Sequence, residues 1–207
     1  MEPLRDRKII VTGGPTREWL DTVRFLSNPS SGKMGVAIAD EASAKAREIV
    51  FIHGAMDKAL LANKSYRMID IDTTVDLLNA VLSEIRDNSV LIMAAAPADF
   101  TPINKSKTKI KKENEELVIK LKKNPDILKT VAKIRAEGGI DNLFIVGFAA
   151  ETEDMEFYAL QKLREKNLDM ICLNDVSRCD AGFGTDTNVI TIFTRNRERI
   201  ELPLLSK

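Results

Sequence analysis

The sequence predicts a doubly wound, Rossmann-like α/β fold with a mostly parallel sheet, an inserted flap hairpin and a C-terminal antiparallel hairpin. Two continuous apolar runs, residues 90–96 and 143–149, are typical of central parallel strands that are buried on both faces. Strand and helix patterns alternate along most of the chain, which favours a parallel sheet covered by helices. The alternation breaks between residues 97 and 123, where a two-sided strand pattern predicts the flap.

The composition is that of an ordinary globular protein and predicts one domain spanning residues 1–207. Of the 207 residues 44% are apolar, enough for a substantial core without disulfide or metal support. The 31 basic and 31 acidic side chains cancel, which argues against a general nucleic-acid-binding protein. The longest apolar run is strand-sized, so we expect no membrane span. Cys172 and Cys179 lack metal or redox spacing, and no leader pattern begins the sequence, so we expect a cytoplasmic protein.

The first half of the chain predicts two strands and two helices. A strand at residues 9–11 runs into a Gly-rich turn, and an irregular loop then leads to a helix at 33–47 and a strand at 49–52. Thr73 followed by Asp76 resembles a capping box, which indicates the start of the second helix. The apolar stripe of that helix is predicted to consist of Val75, Leu78, Leu82 and Ile85.

The second half begins with the flap, about residues 100–123, and then returns to alternation. Two strand-like arms, residues 109–112 and 117–121, flank an acidic turn. Asn124 and Pro125 are expected at the N-cap and first position of a helix. The remaining predicted elements are the apolar stripe Ile127, Val131 and Ile134, a strand at 143–149, a helix from Thr152 to about Lys166, a strand at 170–173, and a closing hairpin at 188–193 and 199–202.

The loop before the first helix has the makings of an anion site. Residues 28–35 place Ser and Gly where free backbone N–H groups and the positive end of a helix dipole coincide. A well-capped helix start explains the same residues equally well. The loop is not a Walker A motif, because Ser27 replaces the first glycine and Met34 the hydroxyl residue.

Two further loops carry candidate ligand contacts. Asp99 follows a buried strand, where its carboxylate is placed either for a metal or ribose or for ordinary turn chemistry. Residues 105–123 contain eight lysines and three acids, which indicates either a solvated face or a flap that closes over a polyphosphate. Lys162 and Lys166 share a helical face, a like-charge spacing that an anionic ligand would relieve.

A short-chain NAD(P)-dependent oxidoreductase is the alternative reading. Tyr158 and Lys162 have Tyr-x-x-x-Lys spacing, and a Gly pair follows the first strand. Against it, Arg17 and Trp19 occupy positions where further glycines are expected, and His53 stands where an acidic ribose partner is expected. His53, the only histidine, and Cys172, a core residue, are both expected to be structural.

Seven strings in order carry a resemblance to a known family. They are TGGPTRE (12–18), RFLSNPSSGKMG (24–35), AAAPADF (94–100), KIKK (109–112), KNPD (123–126), GFAAET (147–152) and ND (174–175). Together they resemble the CTP-dependent, bacterial phosphopantothenoylcysteine synthetases over nearly the whole chain. The resemblance implies a coenzyme A biosynthesis ligase in which the carboxylate of 4′-phosphopantothenate attacks the CTP α-phosphate and cysteine then displaces CMP. It also implies Mg²⁺ as cofactor and a homodimer with sites near the subunit interface.

The resemblance also assigns roles to individual positions. Asn28 is similar to the residue that holds the acyl-cytidylate, and Lys109 to the flap lysine that acts in forming it. Arg24 is similar to a pantothenoyl contact, and Asp99 to the residue near the triphosphate and its Mg²⁺. The other implied contacts are Ser31, Gly32 and Ala95 for the intermediate, and Met93, Ala94, Ala95, Lys123, Asn124, Pro125, Asp126, Phe148, Lys162 and Lys166 for CTP.

The proteins that this chain resembles often carry two features that its sequence does not include. A flavin-dependent phosphopantothenoylcysteine decarboxylase domain, which holds FMN, is expected upstream or as a separate partner. Related sequences usually continue beyond the position of Lys207 into a terminal helix. We therefore expect either an excised domain or divided activities, and weaker dimerisation without that helix.

Overall fold

The computed structural model describes residues 4–111, 116–151, 153–175 and 185–207. Its strands are β1 (Lys8–Gly13), β2 (Arg17–Trp19), β3 (Phe25–Ser27), β4 (Glu48–His53), β5 (Arg67–Asp70), β6 (Ser89–Met93), β7 (Phe100–Pro102), β8 (Leu121–Lys123), β9 (Phe144–Glu151), β10 (Met170–Asp175), β11 (Thr187–Asn188), β12 (Ile190–Thr194), β13 (Arg199–Glu201) and β14 (Leu205–Ser206). Its helices are α1 (Lys33–Ser43), α2 (Lys58–Leu61), α3 (Thr74–Glu84), α4 (Ile127–Ala136) and α5 (Met155–Glu165).

A central sheet in the order β13-β12-β10-β9-β6-β1-β4-β5 confirms the predicted fold class. The six strands from β10 to β5 are parallel, and β12 and β13 continue the sheet as an antiparallel edge. Three small antiparallel pairs, β2–β3, β7–β8 and β11–β14, lie outside this sheet. The chain order and the parallel pairing match a doubly wound α/β protein.

Two apolar cores cover the two faces of the sheet. Successive strand residues point to opposite faces, so Ile10 packs with α3, α4 and α5 while Ile9 packs with α1. The central strands are buried on both faces, as the continuous apolar runs predict. Full burial of such side chains stabilises the fold by about 1.5–3 kcal/mol each.

Helix α3 begins as predicted, but its buried stripe differs. Thr73 and Asp76 form a complete capping box. The deepest positions of the helix are Leu77 and Val81, and Val75, which was predicted to be buried, is 47% exposed. Thr74 takes the buried place in the first turn because its hydroxyl donates to Glu18 Oε1 at 2.8 Å. The hydrogen bond between Thr74 and Glu18 therefore turns Val75 toward solvent.

Three predicted helix boundaries are wrong. Asp126, not Asn124, is the N-cap of α4 and accepts a hydrogen bond from the backbone N–H of Lys129. Asn124 is instead committed to the loop at 98–99, where its side chain donates to Ala98 O at 2.8 Å. Helix α5 has Asp154 as its N-cap, and Thr152, the predicted start, lies outside the described residues. Helix α1 ends at residue 43 rather than 47.

The flap pairs at its base rather than along its predicted arms. Strands β7 and β8 form an antiparallel pair that joins residues 100–102 to 121–123. Residues 109–111 are not in a strand, because both backbone polar groups of Ile110 bond to side chains of the β2–β3 hairpin. The predicted turn at 113–116 falls mostly outside the described residues.

The C-terminal hairpin is confirmed, whereas several small elements were not predicted. Strands β12 and β13 pair antiparallel at Ile192 and Ile200. Strand β5, helix α2 and the β2–β3 hairpin were not expected from the sequence, since each is short and only partly buried. None of the helices among the described residues is long and apolar enough to cross a membrane.

A network of charged side chains lies at the amino ends of the strands, at the opposite end of the sheet from the pocket described below. The buried ammonium of Lys8 lies 2.6 Å from Glu84 and 3.4 Å from Glu48. Arg67 also pairs with Glu84, and Arg86 pairs with Glu48. The start of β1 is therefore fixed to β4, β5 and α3 by opposite charges.

Candidate active site

A pocket of about 760 Å³ lies beyond the carboxyl ends of β6, β9 and β10. This is the edge where parallel α/β sheets usually bind ligands, and the volume suits a nucleotide-sized molecule. The lining includes nearly all of the site residues predicted from the sequence: Asn28, Ser31, Gly32, Met93, Ala94, Ala95, Asp99, Lys123, Asn124, Pro125, Asp126, Phe148, Lys162 and Lys166.

The N-terminus of α1 forms one wall of the pocket. Gly32 is the N-cap residue, with a φ of 77°, and it has no side chain with which to cap the first turn. A Cβ atom at Gly32 would lie 2.4 Å from the flexible end of the Met56 side chain, which can move away, so it is the positive φ that favours glycine here. The N–H groups of the first turn, which line the pocket, therefore remain available to an anion.

Asn28 joins this wall to the loop that follows β6. Its side-chain nitrogen donates to Pro97 O at 3.0 Å and to Ala96 O at 3.3 Å. The same loop is held to the first loop by Ala96 N donating to Gly14 O at 2.9 Å. The Asn28 side-chain oxygen takes no part in these bonds.

The turn from Lys123 to Asp126 forms another part of the pocket lining. Asn124 donates from its backbone to Asp99 O at 2.8 Å, and its side-chain oxygen is buried without a hydrogen-bond partner. Asp126 caps α4 and also lies 2.9 Å from the Lys166 ammonium. Burial acts to raise the pKa of Asp126, but hydrogen bonds from Lys166 and the Lys129 backbone outweigh it and lower the pKa.

Helix α5 supplies two cations to the pocket. Lys162 and Lys166 are one turn apart, and both line it. The Lys162 ammonium donates to Phe148 O at 3.1 Å, which places its charge beside the second half of β9. The half-buried Phe148 ring lies in the same wall and offers an apolar surface beside these charges.

Asn174 and Thr74 are among the lining residues that were not assigned a role from the sequence. Asn174, at the end of β10, is only 9% exposed, and its side-chain oxygen has no hydrogen-bond partner. Thr74 also lines the pocket, at the start of α3. Asn174 belongs to the ND string of the resemblance, so its position at a strand end was the available signal. A buried amide with unmet hydrogen-bonding capacity is expected to contact a ligand.

Arg24 and Lys109 are not brought into the pocket. Arg24 lies on the β2–β3 hairpin, where its guanidinium contacts Asp21 and the backbone oxygen of Ile110. Lys109 is the exposed neighbour of Ile110 in the flap. Arg24 therefore contacts the segment that carries Lys109, and neither residue is among those that line the pocket.

The residues of the oxidoreductase alternative do not form a site. Lys162 lines the pocket, but Tyr158 is 45% exposed and does not. His53 is buried, with its Nδ1 3.0 Å from Gly54 O and its ring stacked on Phe51. Burial raises the pKa of Cys172 to about 12, so its thiol is unreactive. The sequence-based expectation that His53 and Cys172 are structural agrees with these contacts.

Within the part of the chain that the structure describes, no three His, Cys, Asp or Glu side chains are placed to hold a metal ion together. Asp99 is exposed at the edge of the pocket. A cation held there would depend on one carboxylate together with oxygens of a ligand and water, as Mg²⁺ does beside polyphosphates.

Residues 4–207 match the model of the DNA/pantothenate metabolism flavoprotein C-terminal domain. The chain belongs to this family. The chain resembles the coenzyme A biosynthesis bifunctional protein CoaBC of Bacillus subtilis (strain 168), at 40% identity over 205 residues, or 99% of this chain and 49% of that protein. The Escherichia coli (strain K12) protein of the same name is 39% identical, over 99% of this chain and 50% of its own length.

A crystal structure of the C-terminal domain of CoaBC has the same fold as this chain. It superposes with a TM-score of 0.76 and 35% identity, over 98% of this chain and 89% of the other. The predicted relationship to the coenzyme A biosynthesis proteins and the predicted fold class are thereby confirmed. The chain spans about half the length of the curated relatives it matches.

Proposed function

We propose that this domain is a ligase that joins 4′-phosphopantothenate to L-cysteine, with CTP as the activating substrate. The observation that carries the proposal is the pocket itself, because it gathers the α1 N-terminus, the 93–99 loop, the 123–126 turn and two lysines of α5 around one space. The domain's relatives are bifunctional proteins of coenzyme A biosynthesis. The pocket chemistry suits a phosphorylated substrate and a nucleotide.

The proposed reaction has two steps and needs no protein nucleophile. The 4′-phosphopantothenate carboxylate attacks the CTP α-phosphorus, a P–O bond forms, and pyrophosphate leaves with the electrons of the broken P–O bond. The cysteine amine then attacks the acyl carbon, a C–N bond forms, CMP leaves with the electrons of the broken C–O bond, and the amine proton passes to solvent. The nucleotide supplies the leaving group, so the protein has to align reactants and stabilise negative charge.

The side chains of the pocket divide this work. The first-turn N–H groups of α1 are placed for one anionic group, and Lys123, Lys162 and Lys166 for others. Phe148 offers a face to the base, and Asn28 an amide to the acyl-cytidylate. Lys109 is proposed to act from the flap on the charge that develops at the α-phosphate.

The proposed cofactor is Mg²⁺, with Asp99 as its protein ligand. An exposed carboxylate at the pocket edge fits this role, since Asp126, the neighbouring acid, is already paired with Lys166. Mg²⁺ keeps most of its water and phosphate ligands and needs only one or two carboxylates. It would neutralise part of the triphosphate charge when bound.

We further propose a homodimer and a link to an FMN-containing decarboxylase domain. Exposed apolar side chains cluster on the β2–β3 hairpin and the flap, and such a patch suits a subunit interface. Its members are Val23, Phe25, Phe100, Ile103, Leu117, Val118 and Leu121. Light scattering of the purified chain tests the dimer.

A cytoplasmic location follows from the proposed metabolite substrates, and fractionation tests it.

The direct test is a product assay with the purified chain. With CTP, Mg²⁺ and 4′-phosphopantothenate, pyrophosphate is expected without cysteine, and CMP only after cysteine is added. Equal turnover with ATP contradicts the dependence on CTP. Absence of pyrophosphate from the complete mixture contradicts the proposed ligase activity.

A further inference from the structure

Asp21 is a buried carboxylate outside the pocket, and its hydrogen bonds reach the flap. The side chain has no solvent exposure and lies in the turn between β2 and β3. We propose that Asp21 is a positioning residue, which latches the flap through Ile110 and so fixes where Lys109 stands. This inference rests on the proposed role of Lys109 in the ligase reaction.

Asp21 forms several hydrogen bonds within its own turn, independently of the flap. Its Oδ1 atom accepts from the backbone N–H groups of Val23 at 2.7 Å and Arg24 at 2.8 Å. Its Oδ2 atom accepts from Arg24 Nε at 3.0 Å and Nη2 at 2.6 Å. Burial alone would raise the pKa of Asp21, but these bonds and the Ile110 N–H keep the pKa well below its usual value. The carboxylate is therefore a fixed anion at neutral pH.

Both backbone polar groups of Ile110 are held by this pair of side chains. The N–H of Ile110 donates to Asp21 Oδ2 at 3.0 Å, and Arg24 Nη2 donates to Ile110 O at 2.7 Å. The backbone on either side of Ile110 carries Lys109 and Lys111, so the latch sets the positions of both lysines. We call these two bonds to Ile110 the Asp21–Arg24 latch.

Two contacts upstream support the same docked arrangement of the flap. The backbone N–H of Ser106 donates to Leu20 O at 2.9 Å, and the Lys105 ammonium lies 5.5 Å above the centre of the Trp19 ring. These contacts are individually modest. The latch differs because release of the flap removes a donor from a buried carboxylate, which costs more than loss of an exposed bond.

The test compares three variants of the full chain. Asp21→Asn removes the negative charge, and Ile110→Pro removes the N–H donor while leaving Asp21 and Arg24 intact. Asp57→Asn is the control, because Asp57 is an exposed N-cap residue of α2 and asparagine caps equally well. Hydrogen exchange of residues 103–111 is measured without substrates, and kcat and KM are measured for pyrophosphate release.

Both latch variants are expected to raise exchange of residues 103–111 by about tenfold or more, as loss of a charge-assisted hydrogen bond implies. They should lower kcat by a similar factor while KM for CTP stays within about twofold, because the pocket is unchanged. The control should match the parent chain. If Asp21→Asn does not fold, Ile110→Pro decides alone.

Unchanged exchange in a folded variant overturns the latch. Faster exchange with unchanged kcat overturns the positioning role. Should the parent chain itself release no pyrophosphate, the proposed function fails, and the exchange measurement still decides whether the latch exists.

Discussion

The ammonium group of Lys166 lies 2.9 Å from a carboxylate oxygen of Asp126, so the end of α5 is joined to the start of α4. The other oxygen of Asp126 accepts from the Lys129 backbone and caps α4. One carboxylate thus fixes both a helix terminus and a cation of the pocket. A nucleotide phosphate would compete with Asp126 for Lys166.

Replacing Lys166 by methionine is expected to weaken CTP binding by about tenfold or more. The variant removes one charge-assisted hydrogen bond, which contributes about 1.5 kcal/mol or more. The apolar stem is largely kept, so α5 should remain packed. Isothermal titration calorimetry with CTP and Mg²⁺ measures the change.

Lys133→Met is the matched control for Lys166→Met. Lys133 lies on the exposed side of α4 and, among the described residues, pairs with Glu137 alone, at 3.7 Å. The Lys133→Met variant should bind CTP with the same affinity as the parent chain. Equal affinity in the Lys166 and Lys133 variants would remove Lys166 from the nucleotide site.

Replacing Asn28 by aspartate is expected to abolish formation of the cysteine adduct. Aspartate cannot donate to Pro97 O or Ala96 O, and its charge would repel both these carbonyls and an anionic intermediate. We expect a loss of at least about a hundredfold, the size seen when one donor to developing charge is removed. Mass spectrometry of the product gives the rate.

Asn79→Asp, on the exposed face of α3, controls for the change in net charge. It should retain full synthesis. Normal synthesis by the Asn28 variant would exclude this residue from the site.

The layers of the fold could be predicted because burial leaves a local pattern in the sequence. Strands β6 and β9 are apolar on both faces, and the Thr73–Asp76 capping box is a short-range motif. The orientation of α3 could not be predicted, because it depends on the hydrogen bond between Thr74 and Glu18, 56 residues earlier. Asn124 was misassigned for the same reason, since its partner is the backbone of a distant loop.

The sequence was enough to predict which loops form the pocket. It was not enough to predict how their side chains are placed relative to one another. Loops that follow parallel strands meet at one edge of the sheet, so most candidate residues converge there. The separation of Arg24 and Lys109 from that pocket depends on how two hairpins dock. Asp21 gives no signal in its own segment, since its role appears only when Ile110, 89 residues later, is placed beside it.

Replacing Lys109 by glutamine is expected to slow pyrophosphate release by roughly a hundredfold, the loss typical of removing one charge donor to a transition state. Glutamine is one bond shorter than lysine and carries no charge, and flap docking should be unaffected because it depends on the backbone of Ile110. CTP binding should change little, because Lys109 lies outside the pocket. A pyrophosphate-coupled assay under single-turnover conditions measures the step.

Lys107→Gln tests whether any flap lysine has this effect. Lys107 is exposed and lies two positions before Lys109. The Lys107→Gln variant should release pyrophosphate at the rate of the parent chain. A parent-like rate in the Lys109 variant would contradict the proposed role.

Replacing Glu84 by glutamine is expected to destabilise the fold by about 3 kcal/mol at pH 7, as removal of one partner from a buried ion pair does. Glu84 is 8% exposed and lies 2.6 Å from the buried Lys8 ammonium. The variant leaves that ammonium with Glu48 alone, at 3.4 Å. Urea unfolding of both proteins, followed by Trp19 fluorescence, gives the difference.

The difference should depend on pH in a defined direction. Burial acts to raise the pKa of Glu84, but hydrogen bonds from Arg67 and Lys8 outweigh it, so its pKa in the folded state is lowered. A lowered folded-state pKa adds stability above the unfolded value, about 4.3, and loses it as the pH falls toward the folded value. The gap between parent and variant should therefore be full at pH 7 and smaller at pH 3. Glu41→Gln, at an exposed pair, should stay within about 0.5 kcal/mol at both. A gap that widens on acidification would show that the Glu84 carboxylate is not stabilised by Lys8 and Arg67.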